Sequence, residues 1–123
     1  MAGGRKRYAR LNAQRRWYAE ELRWCAHLRS EKLVEAFATV PREAFLGRGP
    51  WQLLSGTQPG LGYRRTQDAD PCHLSHNVLV AIDARRWLNN GHPSFLAWLI
   101  DQLHLESGES VCHVGNEDRK SVV

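Results

Sequence analysis

The chain's 123 residues, 42% of them apolar and five of them tryptophan, allow one domain with a modest core and exclude a disordered segment, which would be poor in aromatics. The net charge of +4 is mild but uneven: six Arg or Lys residues and no acid lie between Arg5 and Arg16, and beyond Trp17 the charges nearly balance. No apolar run approaches the length of a membrane span, and the basic N-terminus lacks the apolar stretch of a secretory signal. Cys25, Cys72 and Cys112 are far apart and odd in number, which gives no disulfide framework and points to reduced thiols in a cytoplasmic protein.

Leu11, Tyr18, Leu22, Cys25 and Leu28 form an apolar stripe that predicts a first helix over 11–28, with Arg10, Gln14, Arg16 and Glu20 on its wet faces. Ser30 is placed to cap a second helix carrying Leu33, Val34, Phe37 and Val40, which Pro41 closes. Gly47 to Pro50 marks turns. Gln52 to Asp70, rich in Gly, Gln, Thr and Asp, is expected to be a long loop with little regular structure. Asn77 to Asp83 is a buried strand by its aliphatic run. Asn89, Asn90 and Gly91 make a turn, and Pro93 starts a helix whose buried face is Phe95, Leu96, Leu99, Ile100 and Leu103. Ser107 and Gly108 end that helix, and Val111 to Val114 is a strand running into Gly115. Helices, strand, helix, strand is a mixed α/β order.

The stretch Ser30 to Leu46 carries Val40-Pro41-Arg42-Glu43-Ala44-Phe45, and it resembles the N-terminal segment of protein-L-isoaspartate O-methyltransferases, where a short helix ends in V-P-R-E-x-F. That family continues with a T-I-S-Q-P turn, a helix, and a V-L-E-I-G-T-G-S-G strand and loop. The corresponding stretches here are Asn89-Asn90-Gly91-His92-Pro93 and Val111-Cys112-His113-Val114-Gly115. The resemblance spans roughly Ser30 to Gly115, and it rests on the order and spacing of motifs that are individually weak.

The resemblance implies an α/β fold: N-terminal helices plus the beginning of a Rossmann-like methyltransferase sheet, cut short here. It divides the chain into a basic arm and helix (1–29), an isoaspartyl-methyltransferase-like region (30–106), and a first strand with a charged tail (107–123). It implies methyl transfer from S-adenosylmethionine to a carboxylate of a protein or peptide, with Asn89, Asn90, Gly91 and His92 as the substrate-side turn and Gly115 as the remnant of the cofactor loop. No catalytic residue is assigned. Gly91 stands where the family has serine, which puts isoaspartyl specificity in question. Asn116 to Asp118 stand where it has small residues, so an inactive fragment of a longer enzyme is expected.

The competing reading is a small non-catalytic basic protein. Arg5, Lys6, Arg7, Arg10, Arg15 and Arg16 beside Tyr8, Trp17 and Tyr18 are a composition that can bind nucleic acid, although a solvated helix face explains it more simply. Cys72, His73 and His76 look like half a metal site without the second pair that zinc needs, so no metal is expected. The tryptophans are assigned to core packing or to an exposed face, with Trp51 able to flank a cleft. An unpaired Val111–Val114 edge would make the chain self-associate.

Overall fold

The computed structural model describes residues 2–114, so Gly115 and the charged tail lie outside the described residues. Three helices, α1 (Ala2–Cys25), α2 (Glu31–Thr39) and α3 (Pro93–Asp101), accompany a four-stranded sheet of β1 (Gln52–Ser55), β2 (Arg64–Arg65), β3 (Val78–Asp83) and β4 (Leu88–Asn89). The strand order is β2-β1-β3-β4 and every neighbouring pair is antiparallel. Mixed α/β is therefore the architecture, with a small antiparallel sheet among the described residues.

α1 starts at Ala2, not Leu11, and its basic residues pair with other parts of the chain: Arg10, ahead of Leu11, with Asp70 at 2.7 Å, Arg15 with Glu43 at 3.0 Å, and Arg16 with Glu35 at 2.7 Å. It ends at Cys25, before Leu28. His27 takes a left-handed conformation (φ 53°), and the N–H of Leu28 closes back on the carbonyl of Arg23 at 2.9 Å, the bond that seals such helix ends. Ser30 caps α2 as its position predicts, its hydroxyl accepting from the N–H of Leu33 at 3.1 Å. Ser30→Ala is expected to cost about 1 kcal/mol in urea unfolding.

Two apolar clusters result. Tyr18, Ala19, Leu22, Ala26 and Leu28 of α1 and the following turn pack with Val34 and Ala38 of α2 and Ala97 of α3. Trp51, Leu74 and Val80 form the sheet-side cluster, with Leu46 and Leu53 against it.

Three expectations need correction. The 52–70 stretch holds β1 and β2, since Leu53 and Leu54 pair with Val80 and Leu79, and Gln52 and Leu53 pair with Arg65 and Arg64. Pairing with β3 supplies the hydrogen bonds that so short an apolar run cannot signal on its own. α3 begins at Pro93 as predicted, but it ends at Asp101 and buries Pro93, Ala97 and Asp101, leaving Phe95, Leu99, Ile100 and Leu103 exposed. Finally, Val111 to Val114 is not a strand: it pairs with none of the described strands, and Val111 and Val114 are exposed. An apolar run without a neighbour cannot satisfy its backbone as a strand. The self-association expected from a sheet edge there loses its basis among the described residues.

Candidate functional site

Arg42 joins the two clusters. The short 3-10 turn Arg42–Phe45, set by Pro41, points its guanidinium inward. Nη1 donates to the carbonyls of Leu74 (3.0 Å) and His76 (3.3 Å); Nη2 donates to the carbonyl of Val78 (2.7 Å) and to Asn90 Oδ1 (3.4 Å). Its carbon lies 5.9 Å from the centre of the Tyr18 ring, within cation–π range. Burial lowers the guanidinium's pKa from its ordinary value, while arginine still remains charged. Burial likewise raises the Tyr18 hydroxyl, against the opposing pull of the Arg42 charge.

Beside this joint lies a cleft of about 890 Å³ between α2, the Arg42–Pro50 segment, the sheet and α3. Tyr18, Phe37 and Trp51 give it aromatic walls; Arg42, Arg48, Gln52, Asn90 and His113 are its polar residues, and among the described residues no Asp or Glu lines it. Trp51 is held rigidly: its indole N–H donates to the carbonyl of Gly47 at 2.8 Å, and its backbone N–H donates to the Thr66 hydroxyl at 3.0 Å. Arg48 is exposed at the rim.

The Asn89–His92 turn divides at this cleft. Asn90 and Gly91 line it, together with Pro93. Asn90 Oδ1 accepts from the N–H of Val80 at 2.9 Å as well as from Arg42, while the Asn90 N–H donates to the carbonyl of Val80 at 3.0 Å. Among the described residues nothing accepts from Asn90 Nδ2, which leaves a donor on the cleft wall. Gly91 has φ +89°, a region that disfavours side chains, and an added Cβ would lie 2.8 Å from Leu96 Cδ1.

Asn89 and His92 face elsewhere. Asn89 Nδ2 donates to the Tyr63 hydroxyl (3.1 Å) and its Oδ1 accepts from the N–H of Gly91 (3.0 Å), so both ends of the amide shape the turn. The His92 ring packs against Gly56, and its Nδ1 is 3.4 Å from the Ser94 hydroxyl, which Asn77 holds at 3.1 Å. The turn reads as one motif in sequence but places only its two central residues at the cleft. Gly115 lies outside the described residues.

Of the other candidate features, three basic residues of the arm, Arg10, Arg15 and Arg16, are engaged in the ion pairs described above. Burial pushes the Cys72 thiol up, and the neighbouring Asp70 carboxylate adds to that, the opposite of an activated nucleophile. His73 Nε2 sits 2.7 Å from Asp68 Oδ1, and among the described residues no group of three metal-ligating side chains converges. No described helix is long and apolar enough to cross a membrane. Trp51 is the one buried tryptophan among the described residues; Trp17 and Trp24 on α1, Trp87 and Trp98 are exposed.

The sequence pattern missed the roles of Arg42 and Asp101. Asp101 is buried at the end of α3 and accepts from the backbone N–H groups of Arg29 (3.2 and 3.3 Å) and Ser30 (3.0 Å), so that α3 is fastened to the start of α2. An acid beside the apolar Leu99-Ile100 pair was the only local signal, because its partners lie more than seventy positions away. Compared with protein-family profiles, with curated proteins and with solved structures, the chain matches none.

Proposed function

We propose that the chain forms the methyl-acceptor side of an S-adenosylmethionine-dependent methyltransferase resembling protein-L-isoaspartate O-methyltransferase, and that its cleft receives a carboxylate carried by a protein or peptide. The observation that carries this reading is the meeting of two motifs forty-eight positions apart. Arg42 of the V-P-R-E-x-F segment donates to Asn90 of the turn, and both residues line one cleft. Separate stretches that each resemble the family thus contribute to a single surface.

The electrostatics suit a carboxylate. Two arginines line the cleft, and among the described residues no acid opposes them. Methyl transfer to a carboxylate needs an oxygen that is drawn in and positioned but not neutralised by a tight ion pair. Arg42 meets that need because its donors are committed to three carbonyls and an amide, so its charge attracts without offering a free bidentate fork. Asn90 Nδ2 supplies a neutral donor, and Arg48 at the rim steers.

The described residues do not fit the cofactor itself. A sulfonium is cationic and a ribose calls for an acidic partner, whereas the described lining of this cleft carries two arginines and no acid. On this reading the described residues supply only the acceptor side.

The test is equilibrium binding followed by isothermal calorimetry. A peptide bearing an isoaspartyl or aspartyl carboxylate should bind, and Arg48→Glu should weaken it by about tenfold. Equal binding of the peptide and its carboxamide counterpart, indifferent to Arg48→Glu, would reject the reading. The second reading, a non-catalytic binding protein, draws on the exposed Trp17 and Trp24 on α1. Mixed oligonucleotides bound with a steep salt dependence would favour it.

A further inference from the structure

We infer that Asn90–Gly91 is a site of spontaneous imide formation in the folded chain, which converts Asn90 to an acid and so installs a carboxylate in the cleft wall. The inference does not depend on the methyltransferase reading. The chemistry is intramolecular. The Gly91 nitrogen bonds to Asn90 Cγ, the Cγ–Nδ2 bond breaks, and the amide leaves as ammonia, carrying the proton lost from Gly91. Water then opens the five-membered imide at one of its two carbonyls, giving aspartate or isoaspartate. No oxidant or reductant enters.

Three features of the fold bear on this site. Gly91 brings no Cβ to hinder its nitrogen, and its φ of +89° disfavours any other residue there. Asn90 and Gly91 line an open cleft, which admits the water that the second step consumes. The leaving nitrogen, Asn90 Nδ2, has no acceptor among the described residues.

A clamp opposes these features and sets the pace. Ring closure must turn the carboxamide away from the N–H of Val80 (2.9 Å) and from Arg42 (3.4 Å), and it must free the Gly91 N–H from Asn89 Oδ1 (3.0 Å). The Arg42 bond is the longest of the three and the one that a side-chain substitution removes most cleanly. An aspartate at 90 would keep both donors and add attraction to the Arg42 charge, whereas isoaspartate would lengthen the main chain and displace the turn.

The experiment incubates the full chain, folded in buffer and unfolded in urea, at mildly alkaline pH and follows each asparagine by peptide mapping in heavy-oxygen water. Hydroxylamine cleavage between positions 90 and 91 reports the imide. The expected result is acid at Asn90 in the folded chain, carrying heavy oxygen, ahead of Asn12, Asn77 and Asn89. Arg42→Lys, which cannot hold the same fork of acceptors, should speed conversion about fivefold, the factor for one net hydrogen bond. Asn90→Ala, which has no side-chain carbonyl for the Gly91 nitrogen to attack, should abolish both the label and the cleavage. If Arg42→Lys does not fold, the wild-type comparison decides alone. Folded chain that keeps Asn90 intact, over a time in which the urea-unfolded chain is converted, overturns the inference.

Discussion

Arg42→Ala will lower the unfolding free energy by about 3 kcal/mol in urea titration and remove the cooperative coupling of the helical cluster to the sheet. The size follows from what the guanidinium holds. It donates to the carbonyls of Leu74, His76 and Val78 and to Asn90. Truncation strands the partly buried members of this set, and an unpaired polar group inside a protein costs its full desolvation. The same change removes the cation from over the Tyr18 ring. Arg42→Lys should recover only part of the loss, because an ammonium cannot reach carbonyls on both sides as a planar fork does. Hydrogen exchange locates the effect: protection should fall first in β3 and in the Asn89–His92 turn. Uniform loss of protection over α1 as well would show that Arg42 is not the joint between the clusters.

Asp101→Ala will cost about 2–3 kcal/mol, the scale of hydrogen bonds to a charged group together with the backbone donors left behind. Burial works against the Asp101 charge, but the N–H groups of Ser30 and Arg29 and the Arg29 guanidinium outweigh it and hold the carboxyl below the usual range. The sign for pH follows. A depressed carboxylate contributes stability that is fully present above its unfolded pKa and is lost as pH falls through the folded value. The wild-type chain should therefore lose stability below about pH 4, and Asp101→Asn should flatten that acid limb while costing stability at neutral pH. An acid limb unchanged in Asp101→Asn would assign it to other depressed carboxyls, of which Asp70, held low chiefly by the backbone N–H of Cys72, is one.

What the sequence made legible is what is local. Ser30 announces the start of α2, Pro93 the start of α3, and the aliphatic run before Asp83 the central strand, because capping, a fixed φ and β-branched packing act within a few residues. β1, β2 and β4 were hidden because strands of two to four residues are defined by their partners and carry almost no pattern of their own. The face of α3 was misjudged for a related reason. Apolarity favours Phe95, Leu99 and Leu103, yet the helix turns Ala97 to the other helices so that Asp101 can reach the N–H groups of Arg29 and Ser30.

The candidate site shows the same division. The turn was visible as Asn-Asn-Gly, but nothing in the spacing says that Asn90 faces the cleft while Asn89 is spent on Tyr63 and Gly91. Arg42 stood inside a recognised motif without a role, since its acceptors lie thirty-two to forty-eight positions further along. A buried arginine that satisfies main-chain carbonyls leaves no periodic trace in sequence.

Whether the cleft takes a carboxylate is decided by nuclear magnetic resonance on the isotopically labelled chain, titrated with an isoaspartyl peptide and then with the same peptide carrying a carboxamide in place of the carboxylate. Shifts should be confined to the cleft, at Arg48, the Trp51 indole, Gln52, Asn90 and Gly91, and should fade with the carboxamide. Shifts at Trp17 and Trp24 with the cleft unmoved, or equal cleft shifts for both peptides, would contradict a carboxylate site there.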